Sequence, residues 1–141
     1  MRKSIIAILM TFCLSIMTYA QTPRDRATEL KEQAQSSLNQ KDYIKARYLF
    51  KKAYEAFATR ENYPQAIECG VQANALYVRE NFYKEGFELW RDMDQLIWAG
   101  EQNQKKVFYD LRFLVNKERL QMYTALKNPA QAKTQLNKLE E

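Results

Sequence analysis

Hydrophobic and polar positions along this chain recur in a regular way. Tyr43, Tyr63 and Tyr83 stand 20 residues apart, and a small residue follows each after three positions: Ala46, Ala66 and Gly86. A polar stretch precedes each tyrosine: Gln40-Lys41-Asp42, Arg60-Glu61-Asn62 and Arg79 to Phe82. Twenty residues accommodate one helix and one turn, so the pattern predicts a row of antiparallel helices joined by short loops. Helices are expected over residues 24–40, 43–59, 64–79, 82–98, 102–127 and 129–141. Pro64 and Pro129 sit where a helix would begin, the position at which proline's missing N–H is harmless, and Gly100 suits the end of the fourth helix. That helix has the clearest apolar stripe, with Phe82, Gly86, Leu89, Trp90, Met93, Leu96 and Ile97 on one side and Lys84, Glu85, Glu88, Arg91, Asp92 and Asp94 on the other. Ala46, Phe50, Ala53, Tyr54 and Phe57 form the matching stripe of the second.

Composition supports an all-α reading. Three Gly and three Pro in 141 residues are too few for the many tight turns of a sandwich or barrel. Residues 1–20 stand apart from the helical pattern: Arg2 and Lys3 form a basic start, Ile5 to Met17 an apolar run, and Thr18-Tyr19-Ala20 a small-residue end. This is the layout of a secretory signal peptide cut before Gln21, and it places the protein in the periplasm or elsewhere outside the cytoplasm. A run of 13 apolar-region residues is short for a membrane span, which needs about 20. An uncleaved anchor is the alternative, and only in that form would the chain touch a membrane. Cys13 lacks the Leu and small residues that would precede a lipidation site.

Residues 21–141 then form one helical domain with 20 basic and 17 acidic residues, a net charge of +3, and 16 aromatic side chains for a core. Charges of both signs alternate with no basic cluster longer than Lys51-Lys52 or Lys105-Lys106, which gives nucleic-acid binding little support. Cys69 has no cysteine partner after processing and is expected to be a buried small residue. The sequence has no His, so histidine-based nucleophile pairs, zinc sites and general bases are excluded, and no Gly-rich phosphate loop occurs. No cofactor, metal site or catalytic set is expected, and the chain reads as non-enzymatic.

The segment Lys41-Asp42-Tyr43-Ile44-Lys45-Ala46-Arg47-Tyr48-Leu49-Phe50-Lys51-Lys52-Ala53 resembles the second half of a tetratricopeptide (TPR) repeat, through Asp42, Tyr43, Ala46, Phe50 and Ala53. Tyr77, Tyr83, Gly86 and Trp90 fit a second, looser repeat, with Met93 where a small residue is usual. A third keeps Ala132 but has Pro129 and Leu136 at the aromatic places. From Ala46 to Gly86 is 40 residues and from Gly86 to Ala132 is 46, longer than the usual 34 or so. Stretched arrays of this kind are similar to the extracytoplasmic N-terminal parts of certain bacterial two-component sensor proteins. Such proteins continue into a membrane span, kinase or response regulator, which residues 21–141 do not contain, so a stand-alone relative and the start of a longer protein both stay open.

The resemblance implies an α-solenoid of helix pairs in which the first helix of each pair lines a groove for a protein or peptide partner. By position that groove takes Thr28, Lys31, Gln35, Leu38 and Asn39 from the first pair, Glu68, Val71, Ala75, Val78 and Arg79 from the second, and Leu114, Lys117, Gln121, Thr124 and Ala125 from the third. Lys31 with Gln35 and Lys117 with Gln121 each place an amide four residues after a lysine, a spacing similar to the carboxylate-gripping variant of the family, which prefers Asn. The competing reading of these positions is a solvated helix surface. Trp90 is expected to pack in the core and Trp98 is an interface candidate, while Glu85, Glu88, Asp92 and Asp94 read as a solvated face. Phe108, Tyr109 and Phe113 are either buried on two sides or part of an interaction surface. The rival to a peptide-binding module is a self-associating structural component of the cell envelope, a homo-oligomer built through its terminal helices.

Overall fold

The structure, a computed structural model, describes residues 25–126. The expected signal peptide over residues 1–20 and the sixth helix over residues 129–141 lie outside the described residues. Those described form five helices and no strand: α1 (Arg26–Asn39), α2 (Tyr43–Ala58), α3 (Tyr63–Arg79), α4 (Tyr83–Gln104) and α5 (Tyr109–Ala125).

The 20-residue recurrence is a recurring turn. Lys41, Glu61 and Asn81 each adopt a left-handed conformation, with φ of 62°, 56° and 64°. After each, the next N–H reaches back five residues, as Asp42 to Ser37, Asn62 to Phe57 and Phe82 to Tyr77, while the left-handed residue's own N–H bonds a carbonyl three residues back. This is the Schellman closure of a helix C-terminus, built at all three positions without glycine. Asp42 and Asn62 then cap the following helix, their side chains accepting from the N–H groups of Lys45 and Gln65. One residue stops a helix and the next starts another, so successive helices must fold back on themselves.

The predicted fourth boundary needs correction. Gly100 does not end α4; the helix continues through it to Gln104 and stops at Lys105, whose φ is 51°. Gly100 is buried in the helix interior, and a Cβ there would lie 2.8 Å from both the Tyr63 and Phe108 rings. Glycine stands here for close approach, not for chain reversal. The fifth helix correspondingly starts at Tyr109 rather than 102, and the carboxylate of Glu101 accepts from the N–H of Phe108 at 2.8 Å to hold the linker down.

The predicted stripe of α2 is the centre of the core: Ala46, Phe50, Ala53, Tyr54 and Phe57 are all buried. They pack with Ala34, Ala66, Ile67, Cys69, Ala73, Leu89, Met93 and Ile97 from the flanking helices. Of the α4 stripe, Gly86, Leu89, Met93 and Ile97 are buried, Trp90 and Leu96 are half-buried, and Phe82 is exposed beneath the Arg47 guanidinium. Each helix packs on the next in sequence, and α3 also packs directly on α5. Lys31 on α1 reaches Gln65 and Glu68 on α3. An added Cβ on Gly70 of α3 would meet both Tyr54 of α2 and Met93 of α4. The helices therefore form two layers, α1, α3 and α5 in one and α2 and α4 in the other: a helical array.

Candidate functional site

The layer of α1, α3 and α5 carries every position expected to line a groove. On α1, the Lys31 ammonium donates to Gln65 Oε1 at 2.8 Å and to Glu68 Oε2 at 2.7 Å, so this lysine is a strut between two helices as well as a surface cation. Gln35 is exposed and donates to Asn39 Oδ1 at 3.1 Å. Leu38 is half-buried against the core and Asn39 is exposed. On α3, Val71 and Val78 are half-buried and Ala75 is exposed. The exposed Arg79 lays its guanidinium 3.8 Å from the centre of the ring of Tyr43, a residue of α2 in the other layer. Lys117 and Gln121 are exposed on α5, with Leu114 beside them.

The two lysine-amide pairs are therefore not brought together. Lys31 and Lys117 stand on α1 and α5, on either side of α3, about 20 Å apart if neighbouring helix axes keep their usual 8–10 Å spacing. Between them runs a ridge of α3 whose exposed members are Glu68, Gln72 and the small Ala75. The three helices present a mainly polar surface in which Ala75 is the small exposed position of α3. Among the described residues no group of three His, Cys, Asp or Glu is gathered to hold a metal ion, and no helix is long and apolar enough to cross a membrane.

A polar cluster shared by α3, α4 and α5 was missed by sequence reading. Asn74 of α3 is fully buried and donates from Nδ2 to Met122 Sδ of α5 at 3.2 Å. Its Oδ1, the Oε2 of buried Glu118 and the indole N–H of Trp90 have no hydrogen-bond partner. Burial pushes the Glu118 carboxyl above the usual carboxylate range, with Asn74 and Lys117 opposing. Arg119 stacks 4.5 Å from the Trp90 ring, and burial lowers its guanidinium. An Asn in the middle of an otherwise apolar helix interior was the available signal.

The far end of the array holds a cleft of about 940 Å³ between the α2–α3 turn and the α4–α5 linker, lined among others by Arg60, Tyr63, Lys106, Val107 and Phe108. Tyr63 and Phe108 rings meet there at 5.5 Å. Phe108 is half-buried, whereas Tyr109 and Phe113 are exposed, as is Trp98. The aromatic cluster of the sequence is thus divided between core and surface. Glu101 holds Arg112 of α5 through Nε at 2.8 Å and through Nη2, and Arg112 in turn holds the Glu101 carboxyl below its usual range. Cys69 is buried, and burial raises its thiol to about 11, which leaves it unreactive near neutral pH.

No protein-family model, no characterised protein and no solved structure matches the chain.

Proposed function

We propose that this protein is an exported, non-enzymatic TPR-like module that holds a peptide or protein segment across the layer of α1, α3 and α5. The observation that carries the reading is the continuity of that layer. Lys31 bridges α1 to α3 and Asn74 bridges α3 to α5, so a row of exposed groups from Gln35 and Asn39 through Ala75 to Lys117 and Gln121 rests on one connected support. In this reading the row forms a shallow trough with the small Ala75 as its floor and polar groups as its walls, suited to an extended main chain whose amides need partners and whose side chains need shallow pockets. Export rests on the basic, apolar and small-residue segments of residues 1–20. In this reading the module is the sensory part of an envelope signalling system, with occupancy of the trough as its input.

The test is selection of twelve-residue peptides from a random displayed library on the purified protein, followed by titration of an enriched peptide by fluorescence anisotropy. Ala75→Trp fills the trough floor and Lys117→Glu reverses one wall. Both should weaken the selected peptide by at least about tenfold, the loss of one interfacial contact of 1.4 kcal/mol or more. Circular dichroism should stay unchanged, because both positions are exposed. Failure to enrich any peptide, or tight binding retained in both variants, removes the trough as a binding site.

A further inference from the structure

The last described helix, α5, carries two stripes. Val115, Glu118 and Met122 are buried where it packs on α3 and α4. Roughly 150° round the helix from them stand Tyr109, Phe113, Asn116, Leu120 and Tyr123, spaced i, i+4, i+7, i+11 and i+14. Tyr109 and Phe113 are 76% and 63% exposed, and the other three are half-buried. The Tyr123 ring meets Phe87 of α4 at 5.3 Å, so the second stripe borders α4. Trp98 of α4 is 60% exposed and stands eleven residues, about three turns, after Phe87 on the same side of its helix. Phe87 with Tyr123, Trp90 with Arg119 and Glu101 with Arg112 pair the two helices antiparallel, which brings Trp98 to the level of Arg112 and Phe113. The two helices thus form a corner lined by large apolar side chains on the side of α5 turned away from its buried stripe.

We propose that this corner is the docking surface for residues 127–141 of the same chain. They follow Leu126, the cap residue of α5, directly. Asn62 caps α3 two residues before Pro64, and Asn128 stands immediately before Pro129, the same two residue types at the expected start of a helix. Beyond that start Ala132, Leu136 and Leu139 are spaced i, i+4 and i+7, an apolar stripe with the period of a helix face. Levels are counted from the turn: Glu101 lies three residues before the last residue of α4, Arg112 three after the first of α5, and the two are bonded. Counted likewise from Ala125 and Pro129, Ala132 falls within two residues of the level of Tyr123, Leu136 of Leu120 and Leu139 of Asn116. The small Ala132 thereby meets the bulky Tyr123 and the two leucines meet the middle of the stripe.

The short connection favours this occupant over others. A tether of a few residues holds the segment at an effective concentration of order millimolar, so a second copy or a separate protein would have to displace it. Residues 129–141 are also too few for a stable isolated helix, which is marginal below about 12–15 residues, and burial of Leu136 and Leu139 is what would order them. The corner lies on a different side of α5 from Lys117 and Gln121, so its occupation is independent of the trough.

Native-state hydrogen exchange on the full chain tests this docking. The amides of residues 131–141 should exchange at least about tenfold more slowly than in a synthetic peptide of residues 127–141, which has no corner to bind. Leu136→Asp with Leu139→Asp should return them to the peptide's rate. Thr134→Asp with Asn137→Asp adds the same charge on the opposite side of the segment and should keep the protection. The slow amides of α2 and α3 report an intact fold in each variant. Cysteine pairs then locate the contact: Asn116→Cys with Leu139→Cys should form a disulfide within one chain on mild oxidation. Leu114→Cys with Leu139→Cys should not, because positions two apart face opposite sides of a helix, and the buried Cys69 does not compete. The proposal is overturned by wild-type amides that exchange at the peptide's rate, by protection that survives Leu136→Asp with Leu139→Asp, by an Asn116 pair that links no faster than the Leu114 pair, or by a disulfide that joins two chains.

Discussion

At the scale of single residues, two kinds of backbone constraint dominate, and they act in opposite directions. Lys41, Glu61 and Asn81 hold left-handed φ without being glycine, which costs each an unfavourable contact between Cβ and the backbone. Lys41→Gly and Glu61→Gly should each raise stability by about 0.5–1 kcal/mol, net of the freedom glycine adds to the unfolded chain, and read as a higher urea midpoint with unchanged slope. Gly100 is the converse. Gly100→Ala drives a methyl to 2.8 Å from two aromatic rings and should lower stability by about 1–3 kcal/mol in the same denaturation experiment. The three turns were legible from the polar stretches before Tyr43, Tyr63 and Tyr83, two of which supply a capping side chain, Asp42 and Asn62. Gly100 was misread because a glycine that ends a helix and one that admits a neighbouring ring look alike in sequence. Only the distant Tyr63 and Phe108 distinguish them.

At the scale of helices, the apolar stripe of α2 and most of that of α4 were legible from period alone, but the polar groups that join one helix to another were not. Arg47 illustrates the point: it pairs with Glu80 and lies 4.9 Å and 4.6 Å from the Tyr77 and Phe82 rings, clamping the α3–α4 turn onto α2. Nothing local in the sequence separates it from a solvated arginine. Glu101 and Glu118 were equally hidden, and they tie α5 to the array with opposite pH signatures. Arg112 and the Phe108 N–H favour the ionised Glu101, so its contribution is present above the unfolded carboxylate pKa and is lost as pH falls through the lower folded value. Burial favours the neutral Glu118, so its contribution is present below the unfolded pKa and is lost as pH rises through the higher folded value. Glu118→Gln keeps the shape, stays neutral and supplies a donor for Asn74 Oδ1. It should leave stability nearly unchanged in acid and raise it toward neutral pH, flattening the decline above pH ~4.3. Parallel losses in variant and wild type across that range would show that Glu118 is ionised in the folded state at no cost.

At the scale of the whole molecule, the helices are joined mainly to their neighbours in sequence. Stability should then be distributed along it as a sum of local terms rather than shared equally. The burial is uneven. Eight residues of α3 are buried, from Tyr63 to Leu76, and six of α2, whereas α5 buries only Val115, Glu118 and Met122, one of them an acid with an unpaired oxygen. Opening α5 exposes little apolar surface and releases the Glu118 carboxyl to water; opening α2 dismantles the contact of Phe50, Ala53, Tyr54 and Phe57 with both flanking helices. Native-state hydrogen exchange in sub-denaturing urea should therefore find the amides of α5 exchanging through a local opening well below the global free energy, and those of α2 and α3 only through complete unfolding. Met122→Ala, which removes a fully buried side chain at a cost of about 2–5 kcal/mol, should increase exchange in α5 and also in α2 and α3, because complete unfolding includes the opening of α5. Phe50→Ala should accelerate the amides of α2 and α3 and leave those of α5, which exchange through their local opening, untouched. If Phe50→Ala instead lowers protection uniformly along the chain, the array unfolds as one cooperative unit and α5 is as integral to it as α2. The functional consequence depends on that outcome, because Lys117 and Gln121 form one wall of the proposed trough. With α5 independently mobile, a bound peptide that spans α3 and α5 would raise α5 protection alone, and occupancy of the trough would be read out as order at that end of the molecule.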